Sequence, residues 1–246
     1  MNKTTGAGLI SLALMLAACG GDDAGNKANP AKGPESLQRV AAPNNGDWTQ
    51  TVARSAEGYV MGNPNAPVKL VEYASITCPH CKEFAEQSGA RLRQYIQTGQ
   101  VSWEYRPFMI FPTDPGIFML LGCQGPQAFF TLSDQLYHDQ PQWSGRIQAL
   151  PQAQLEQVRQ MAPTQAAAFL TQAAGVDQFF RQRGMPEAQV TQCLANQGEL
   201  ERLDAIRARA SREEQVTGTP TFLINDELVV GADTWPEVEA AIQAAL

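Results

Sequence analysis

The clearest hydrophobic pattern in the chain is a short apolar run at residues 68–73, which precedes a pattern of a different period. Only Lys69 and Glu72 interrupt this run, as expected of a central strand that is covered on both faces. Residues 82–99 then carry apolar side chains at helical spacing, and residues 101–106 alternate Val, Trp and Tyr with polar residues. The order of strand, helix and strand predicts an α/β unit.

A long stretch without strand signals follows at residues 112–215. It is rich in Ala, Gln, Leu and Glu, which favour helices, and prolines interrupt it repeatedly. The pattern predicts about five or six short helices. The clearest of them cover residues 127–137, 165–174, 187–196 and 199–215.

Strand signals return near the end of the chain, at residues 221–224 and 227–230. Asn225-Asp226 between them is a favourable two-residue hairpin turn. Residues 234–237, Thr-Trp-Pro-Glu, form a capping-box pattern and predict a helix that ends near residue 245.

The α/β unit is therefore interrupted by a helical insertion. Trp48 marks the expected start of order, and residues 47–61 predict a short edge strand or hairpin. We expect one domain made of residues 47–111 and 216–246, and a helical insertion domain made of residues 112–215.

The N-terminal residues have the pattern of an export signal. Lys3 precedes an apolar run at residues 7–18, which is too short for a stable membrane-spanning helix and suits a secretory signal. The run ends in Leu-Ala-Ala-Cys, with Cys19 last, and so resembles a bacterial lipobox, which is cleaved before an acylated cysteine. The alternative is an ordinary signal peptide with a cysteine beside its cleavage site.

Residues 20–46 are rich in Gly, Asn, Asp, Pro and Ala, as a flexible tether would be. We therefore expect a signal peptide at residues 1–18 and a lipidated tether at residues 19–46. This arrangement predicts a protein held by lipid at the periplasmic face of a bacterial membrane.

Composition excludes one class of partner. The chain has 246 residues, 43% of them hydrophobic, which is enough for a substantial core. Its 25 acidic residues outnumber its 18 basic ones, the net charge is −7, and no basic cluster is present. Nucleic acid is therefore not an expected partner. We also expect no cofactor.

The candidate chemistry lies in Cys78-Pro79-His80-Cys81, at the junction of the first central strand and the helix that follows. Two cysteines at this spacing can close a small disulfide, and a helix N-terminus stabilises a thiolate on the first of them. The alternative is half of a zinc site, which needs a second pair of Cys or His residues at similar spacing. The sequence has no such pair, and His138 is the only other histidine. The motif therefore favours redox chemistry over metal binding.

The remaining cysteines fit the same scheme. The chain has five, an odd number for an exported protein. If Cys19 carries lipid and the motif forms its own pair, Cys123 and Cys193 are left, and in an oxidising compartment they should pair. Such a structural disulfide would close a loop of about 70 residues and contribute up to roughly 4 kcal/mol. A redox role for this pair is the alternative.

Three motifs occur in a characteristic order. They are Gly-Asn-Pro-Asn-Ala-Pro at residues 62–67, the Cys-Pro-His-Cys motif, and Gly-Thr-Pro-Thr-Phe at residues 218–222. With the helical insertion between the second and the third, the chain from about Trp48 to its end resembles the DsbA-like thiol:disulfide oxidoreductases. The resemblance implies an α/β fold of the thioredoxin type with an inserted α-helical domain.

The resemblance also implies the remainder of the site. It implies a cis bond between Thr219 and Pro220 in a loop that packs against the cysteines, with the backbone of Thr219 offered to an extended substrate segment. A plain trans proline at the start of a strand is the alternative. It further implies that Glu72 is buried beneath the cysteines and passes a proton to or from Cys81, with a pKa raised by burial. The alternative is a glutamate that faces the edge of its strand.

We interpret Cys78 as the nucleophile, because its sulfur at the helix start should be accessible, and Cys81 as its resolving partner. Pro79 occupies a first-turn position that tolerates proline. His80 should donate a hydrogen bond to the sulfur or carry positive charge beside it, the alternative being a solvated histidine. DsbA-like proteins tend to be strong oxidants, and together with the position of His80 this resemblance favours an oxidant.

The expected function is an oxidase that donates disulfides to unfolded or partly folded exported proteins with free thiols. A membrane redox partner would reoxidise it, and we expect a monomer. A disulfide reductase or isomerase of the same fold and a non-catalytic lipoprotein that binds other proteins are the alternatives.

Overall fold

The computed structural model of this chain describes Met1 and residues 33–246. The predictions for the signal peptide, for Cys19 and for the first half of the tether lie outside the described residues. Within the described part of the chain, no helix is both long enough and apolar enough to cross a membrane.

A mixed sheet with the strand order β1-β2-β4-β3-β5-β6 forms the centre of residues 33–246. β3 pairs in parallel with β4 and antiparallel with β5, and six of its seven residues are buried. The prediction of a central strand covered on both faces is therefore confirmed. The strands are β1 (Val52–Arg54), β2 (Tyr59–Gly62), β3 (Val68–Ala74), β4 (Val101–Pro107), β5 (Thr221–Ile224) and β6 (Glu227–Leu228).

The first helix, α1 (Pro79–Gln97), begins three residues earlier than the apolar pattern indicates. Cys78 is its N-cap residue, and Pro79 takes the first helical position, where a missing N–H costs nothing. Since the first turn carries Pro and His rather than apolar residues, periodicity alone places the start too late. α1 buries a face that includes Cys81, Phe84 and Leu92 against the sheet.

The helical segment lies between β4 and β5. Within residues 114–213 it contains eight helices, more than the five or six predicted. The first of them is buried along most of its length, so it has no polar face that a periodic pattern could reveal. The helices are α2 (Asp114–Cys123), α3 (Pro126–His138), α4 (Gln140–Gln148), α5 (Gln152–Val158), α6 (Pro163–Ala174), α7 (Val176–Arg181), α8 (Glu187–Leu194) and α9 (Gln197–Glu213).

The C-terminal elements follow the prediction closely. Asn225 and Asp226 have φ values of 52° and 69°, as a type I′ hairpin turn requires. β6 ends at Leu228, two residues earlier than predicted. The capping box at the start of α10 (Trp235–Ala245) is present, with Glu237 accepting from the backbone N–H of Thr234 at 3.0 Å.

Residues 33–46, the described part of the predicted tether, are not separate from the domain. The backbone N–H of Val40 donates to the carbonyl of Thr98 at 2.8 Å, and the indole N–H of Trp48 donates to the carbonyl of Val40 at 2.8 Å. Contacts therefore begin before Trp48, at the C-terminal end of α1. Composition does not show this, because Val40 makes both contacts through its backbone N–H and carbonyl, which do not depend on its side chain.

Candidate active site

Cys78 and Cys81 lie where β3 ends and α1 begins. Cys78 has an extended backbone as the N-cap residue, and Cys81 lies in the first turn. Both are free thiols in the structure, 4% and 0% exposed respectively. The prediction that the Cys78 sulfur is accessible is wrong, because the segment before β5 packs over it. While it is protonated, the Cys78 thiol donates to the carbonyl of Thr219 at 3.3 Å.

The surroundings of the two sulfurs shift their pKa values in opposite directions. A hydrogen bond from the Cys81 thiol is the largest cause that lowers the pKa of Cys78 to about 5, and burial opposes it. The side chain of Thr219 and then the backbone N–H groups of Cys81 and His80 also lower this pKa. Burial is the main cause that raises the pKa of Cys81 well above its ordinary value, followed by the Cys78 sulfur. At neutral pH these shifts favour a thiolate at Cys78 and a thiol at Cys81, and the thiolate is the nucleophilic form of a cysteine.

His80 and Pro79, the two residues between the cysteines, are both exposed. His80 acts on the Cys78 sulfur through its backbone N–H, which lowers the pKa of that thiol. The sequence pointed to the imidazole for this role. The structure identifies the contribution of a helix N-terminus, where backbone N–H groups face a negative charge.

The Thr219-Pro220 peptide bond is cis and lies directly before β5. The fold brings it to Cys78 across 141 residues of sequence, through the contact between the Cys78 thiol and the Thr219 carbonyl. These residues thus form one site with the cysteine motif.

Glu72 lies in β3 and is 2% exposed, so it does not face a strand edge in the solvent. Its Oε2 accepts a hydrogen bond from the indole N–H of Trp103 at 3.0 Å. Burial is the main cause that raises its pKa to about 8, against the opposing effect of that hydrogen bond. Its charge is among the causes that raise the pKa of Cys81, which places Glu72 within electrostatic reach of the buried thiol.

Cys123 and Cys193 form a disulfide that links the end of α2 to α8. The bond closes a sequence separation of 70 residues within the helical segment. His138, the last residue of α3, is exposed.

Asp114, at the start of α2, is a functional candidate that the sequence did not indicate. It is 0% exposed, and burial raises its pKa. Its carboxylate accepts from the hydroxyls of Ser75 and Thr77 at 2.9 and 2.7 Å, and from the backbone N–H groups of Ile110 and Phe111, both at 2.9 Å. The first residue of α2 thereby holds the loop that leads to Cys78.

Gln140, the first residue of α4, holds the next part of that loop. It is 4% exposed, and its Nε2 donates to the carbonyls of Ile76 and Cys78 at 2.7 and 3.0 Å. The hydroxyl of Tyr137 also donates to the carbonyl of Ser75, at 3.2 Å. The loop before α1 is therefore fixed by side chains from three helices of the helical segment.

An apolar cavity of about 210 Å³ lies beside this loop. Phe111 at its rim is 45% exposed and the adjacent Ile110 is 39% exposed, which is unusual for large apolar side chains. A larger cavity, about 440 Å³, lies over strands β1 to β4 and touches neither cysteine. The smaller one is lined by Thr77, Pro79, Phe111, Thr113, Gln140, Trp143, Ser144, Ile147 and Gln148.

Within residues 33–246, no group of three or more His, Cys, Asp or Glu side chains is placed to hold a metal ion.

Known proteins resemble this chain in sequence and in fold. A family model described as Thioredoxin matches residues 54–244. The chain is similar to the protein-disulfide isomerase from Novosphingobium aromaticivorans, with 30% identity and a TM-score of 0.74 over 77% of this chain and 98% of that one. It shares its fold with α-DsbA1 from Wolbachia pipientis, at 20% identity and a TM-score of 0.54 over 82% of each chain.

Among curated proteins, the chain is 25% identical over 191 residues to a Rickettsia felis protein that is provisionally named protein-disulfide oxidoreductase. The match covers 76% of this chain and 59% of the relative. A Rickettsia bellii protein with the same provisional name is 32% identical over 87 residues, 35% of this chain and 34% of the relative. The chain spans about half the length of the curated relatives that it matches.

Proposed function

Because this chain belongs to the thioredoxin family, we propose that it is a protein thiol:disulfide oxidoreductase that donates the Cys78–Cys81 disulfide to exported proteins. The observation that carries the proposal is the opposite shift of the two cysteine pKa values, with Cys78 lowered to about 5 and Cys81 raised. A thiolate beside a protonated thiol at a helix start is the arrangement that thiol–disulfide exchange requires.

The reaction begins with the oxidised pair. A substrate thiolate attacks the sulfur of Cys78, the bond between Cys78 and Cys81 breaks, and Cys81 leaves as a thiolate that takes up a proton. A second substrate thiolate then attacks the substrate sulfur of the mixed disulfide and releases Cys78 as a thiolate. Two electrons pass from two substrate thiols to the enzyme, so a substrate disulfide and a reduced enzyme result.

The direction in which electrons are transferred depends on how stable the Cys78 thiolate is. A stabilised Cys78 thiolate favours the reduced enzyme, which makes the oxidised enzyme a strong donor of disulfides. The ordinary pKa of 9.0 falls to about 5 at Cys78, a large shift in this direction. This supports the oxidase reading over a reductase.

Glu72 supplies the proton that Cys81 needs when it leaves. With a pKa of about 8, its carboxyl group is largely protonated at neutral pH. Its burial near Cys81 suits it to exchange a proton with that residue, directly or through a water molecule. Cys78 and Cys81 are thus the catalytic pair, with Glu72 as their proton donor and acceptor.

The substrates are polypeptides in an extended, incompletely folded state. The segment that contains Thr219 lies against the sulfur of Cys78, and its backbone would pair with the substrate in the manner of an added strand. The apolar cavity beside Thr77 and Pro79, with Phe111 at its rim, offers contact to apolar side chains that folded proteins bury.

The location rests on the sequence pattern at the N-terminus. Lipid on Cys19 would hold the enzyme at the periplasmic face of a bacterial membrane, as a monomer. After each turnover a redox partner in that membrane would take two electrons from Cys78 and Cys81. Mass spectrometry of the mature protein tests this, since it should begin with an acylated Cys19.

The decisive experiment is the equilibrium of the Cys78–Cys81 pair with glutathione. An oxidase should be mostly reduced in a moderately oxidising glutathione buffer. A pair that is found mostly as disulfide in that buffer would rule out the oxidase. Cys81→Ala should trap substrates as mixed disulfides through Cys78, and Cys78→Ser is the matched control that should trap none. A protein that only binds partners would trap none with either variant.

A second candidate function, disulfide isomerisation, is favoured by one observation: the Novosphingobium protein, which the chain matches over 98% of its length, is a protein-disulfide isomerase. An isomerase would restore the activity of a substrate with scrambled disulfides in the absence of an added oxidant. An oxidase would instead form disulfides in a fully reduced substrate.

A further inference from the structure

We propose that Gln140 is a positioning residue for the redox reaction of Cys78, acting through the backbone of the reactive cysteine. It lies 62 residues away in sequence, in the helical segment, and its side chain contacts the carbonyl of Cys78 rather than the sulfur. The inference rests on the proposed function only in that Cys78 is the reacting thiol.

The geometry leaves the Gln140 amide one orientation. Its nitrogen carries two hydrogens, and both find acceptors, the carbonyls of Ile76 and Cys78. The opposite orientation would place Oε1 against two carbonyl oxygens, which only accept hydrogen bonds. Since the side chain is 4% exposed, water does not replace these contacts readily. The amide therefore works as a fixed clamp across the residue that precedes Cys78.

The carbonyl of Cys78 accepts a second hydrogen bond in addition to the one from Gln140. It accepts the backbone N–H of Lys82 at 3.1 Å, which is the first helical hydrogen bond of α1. The backbone N–H groups that precede Lys82 in that turn, from His80 and Cys81, are among the groups that lower the pKa of the Cys78 sulfur, after the side chains of Cys81 and Thr219. A side chain that fixes the Cys78 carbonyl thus also fixes the relation between the sulfur and the N–H groups that stabilise its charge.

The rest of the loop is held by other residues, so the task of Gln140 can be separated from theirs. Asp114 accepts from Ser75 and Thr77, and Tyr137 donates to the carbonyl of Ser75. Neither Asp114 nor Tyr137 has a hydrogen bond to Cys78 among the contacts that residues 33–246 show. Gln140 is thereby the side chain of the helical segment that reaches the reactive residue.

Three variants test the proposal. Gln140→Met keeps the length of the side chain and removes both donors. Gln140→Glu keeps the shape and turns the amide into a group that donates only while it is protonated. Gln142→Met, on the exposed surface of the same helix, is the matched control. Gln140→Asn, which is shorter by one methylene, replaces Gln140→Met if the latter does not fold.

The readout is the pH dependence of Cys78 alkylation by iodoacetamide in the reduced protein. Cys81 does not interfere, since its thiol is fully buried and remains protonated at neutral pH. We expect the pH at which Cys78 is half alkylated to be higher in Gln140→Met by about half a pH unit or more, as the loss of one buried hydrogen bond implies. For the same reason, the equilibrium of the Cys78–Cys81 pair with glutathione should make the variant about threefold less oxidising than wild type. Gln140→Glu should show an additional step in its pH profile, because the ionised carboxylate repels both carbonyls and the thiolate.

Unchanged redox properties in Gln140→Met would contradict the proposal. If Gln140→Met and Gln142→Met share the wild-type midpoint and the wild-type glutathione equilibrium, while only the former melts earlier, Gln140 is purely structural and the proposal is wrong. If the shifts occur as expected but the wild-type enzyme oxidises no peptide, the proposed function is wrong and the positioning role of Gln140 stands.

Discussion

The buried carboxyl group of Glu72 should make the stability of the protein fall as pH rises, and Glu72→Gln should remove that dependence. The folded-state pKa of Glu72 is about 8, whereas its ordinary value is 4.5. A folded pKa above the unfolded one stabilises the fold fully below pH 4.5, and this stabilisation is lost as pH rises through about 8. An uncharged amide of the same shape titrates in neither state.

The size of the effect follows from the two pKa values. Between pH 5 and pH 7.5, the linkage relation for 4.5 unfolded and 8 folded gives a loss of about 3 kcal/mol in the free energy of unfolding. Glu72→Gln also adds two amide hydrogens that need partners, but this cost does not depend on pH. We therefore expect the variant to gain about 3 kcal/mol relative to wild type between pH 5 and pH 7.5, whichever of the two is more stable at pH 5.

Urea denaturation at both pH values measures this difference, and the oxidised protein is the right sample because Cys78 and Cys81 then do not titrate. Glu83→Gln, on the exposed side of α1, is the matched control and should leave the pH dependence of wild type unchanged. Parallel stability profiles for wild type and Glu72→Gln would refute the reasoning, since the carboxyl group would then ionise as readily in the folded state as in the unfolded one.

Three further predictions concern the cysteines and the cavity. Alkylation of reduced Cys78 should have its midpoint near pH 5, and a midpoint close to the ordinary 9.0 would show that the surroundings do not stabilise the thiolate. Phe111→Ser should slow the oxidation of reduced protein substrates about threefold or more without changing the reaction with glutathione. Val40 is similarly exposed, 41% against 45% for Phe111, and lies near the other end of α1, so Val40→Ser should change neither rate. Replacing both Cys123 and Cys193 by Ala should lower the free energy of unfolding by up to about 4 kcal/mol, because the loop of 70 residues is then no longer closed. The equilibrium of the Cys78–Cys81 pair with glutathione should not change.

Much of the α/β unit can be predicted from the sequence because its strands carry strong local patterns. The turn at Asn225-Asp226 and the capping box at Thr234 specify their structures within a few residues, and both are present. The buried strand that contains Glu72 is also evident from its apolar run. The cis bond before Pro220 is different, since only the resemblance to a family implied it.

The contacts of the helical segment with the loop before α1, residues 75–78, could not be predicted from local sequence patterns. Gln140 belongs to a polar, proline-containing sequence that reads as a solvated helix start, and nothing local distinguishes it from the exposed Gln142. Asp114 likewise has the pattern of an ordinary residue in a first helical turn. Their roles arise from packing against residues 75–78, which lie 37 to 64 positions away. Sequence periodicity reports which face of a helix is buried, but it does not report which backbone carbonyl that face will meet.

The burial of Cys78 is a further case. Position at a helix start suggested an open sulfur, yet the segment around Thr219 covers it in the folded chain. This covering comes from residues that the insertion separates from the motif by more than half of the described chain.

The order of the strands has a consequence for how the chain is made. β3 finds its parallel partner β4 soon after both are synthesised, but its other edge waits for β5, about 150 residues later. Long-range pairings of this kind are slow to form, and an unpaired central edge is prone to join other chains. During the first part of that interval, Cys78 and Cys81 are present together with Cys123 but without Cys193, the partner of Cys123 in the folded chain. In the oxidising compartment that we propose for this protein, a chain whose export pauses within the helical segment would therefore be prone to wrong disulfides, and thiol–disulfide exchange would be needed to correct them.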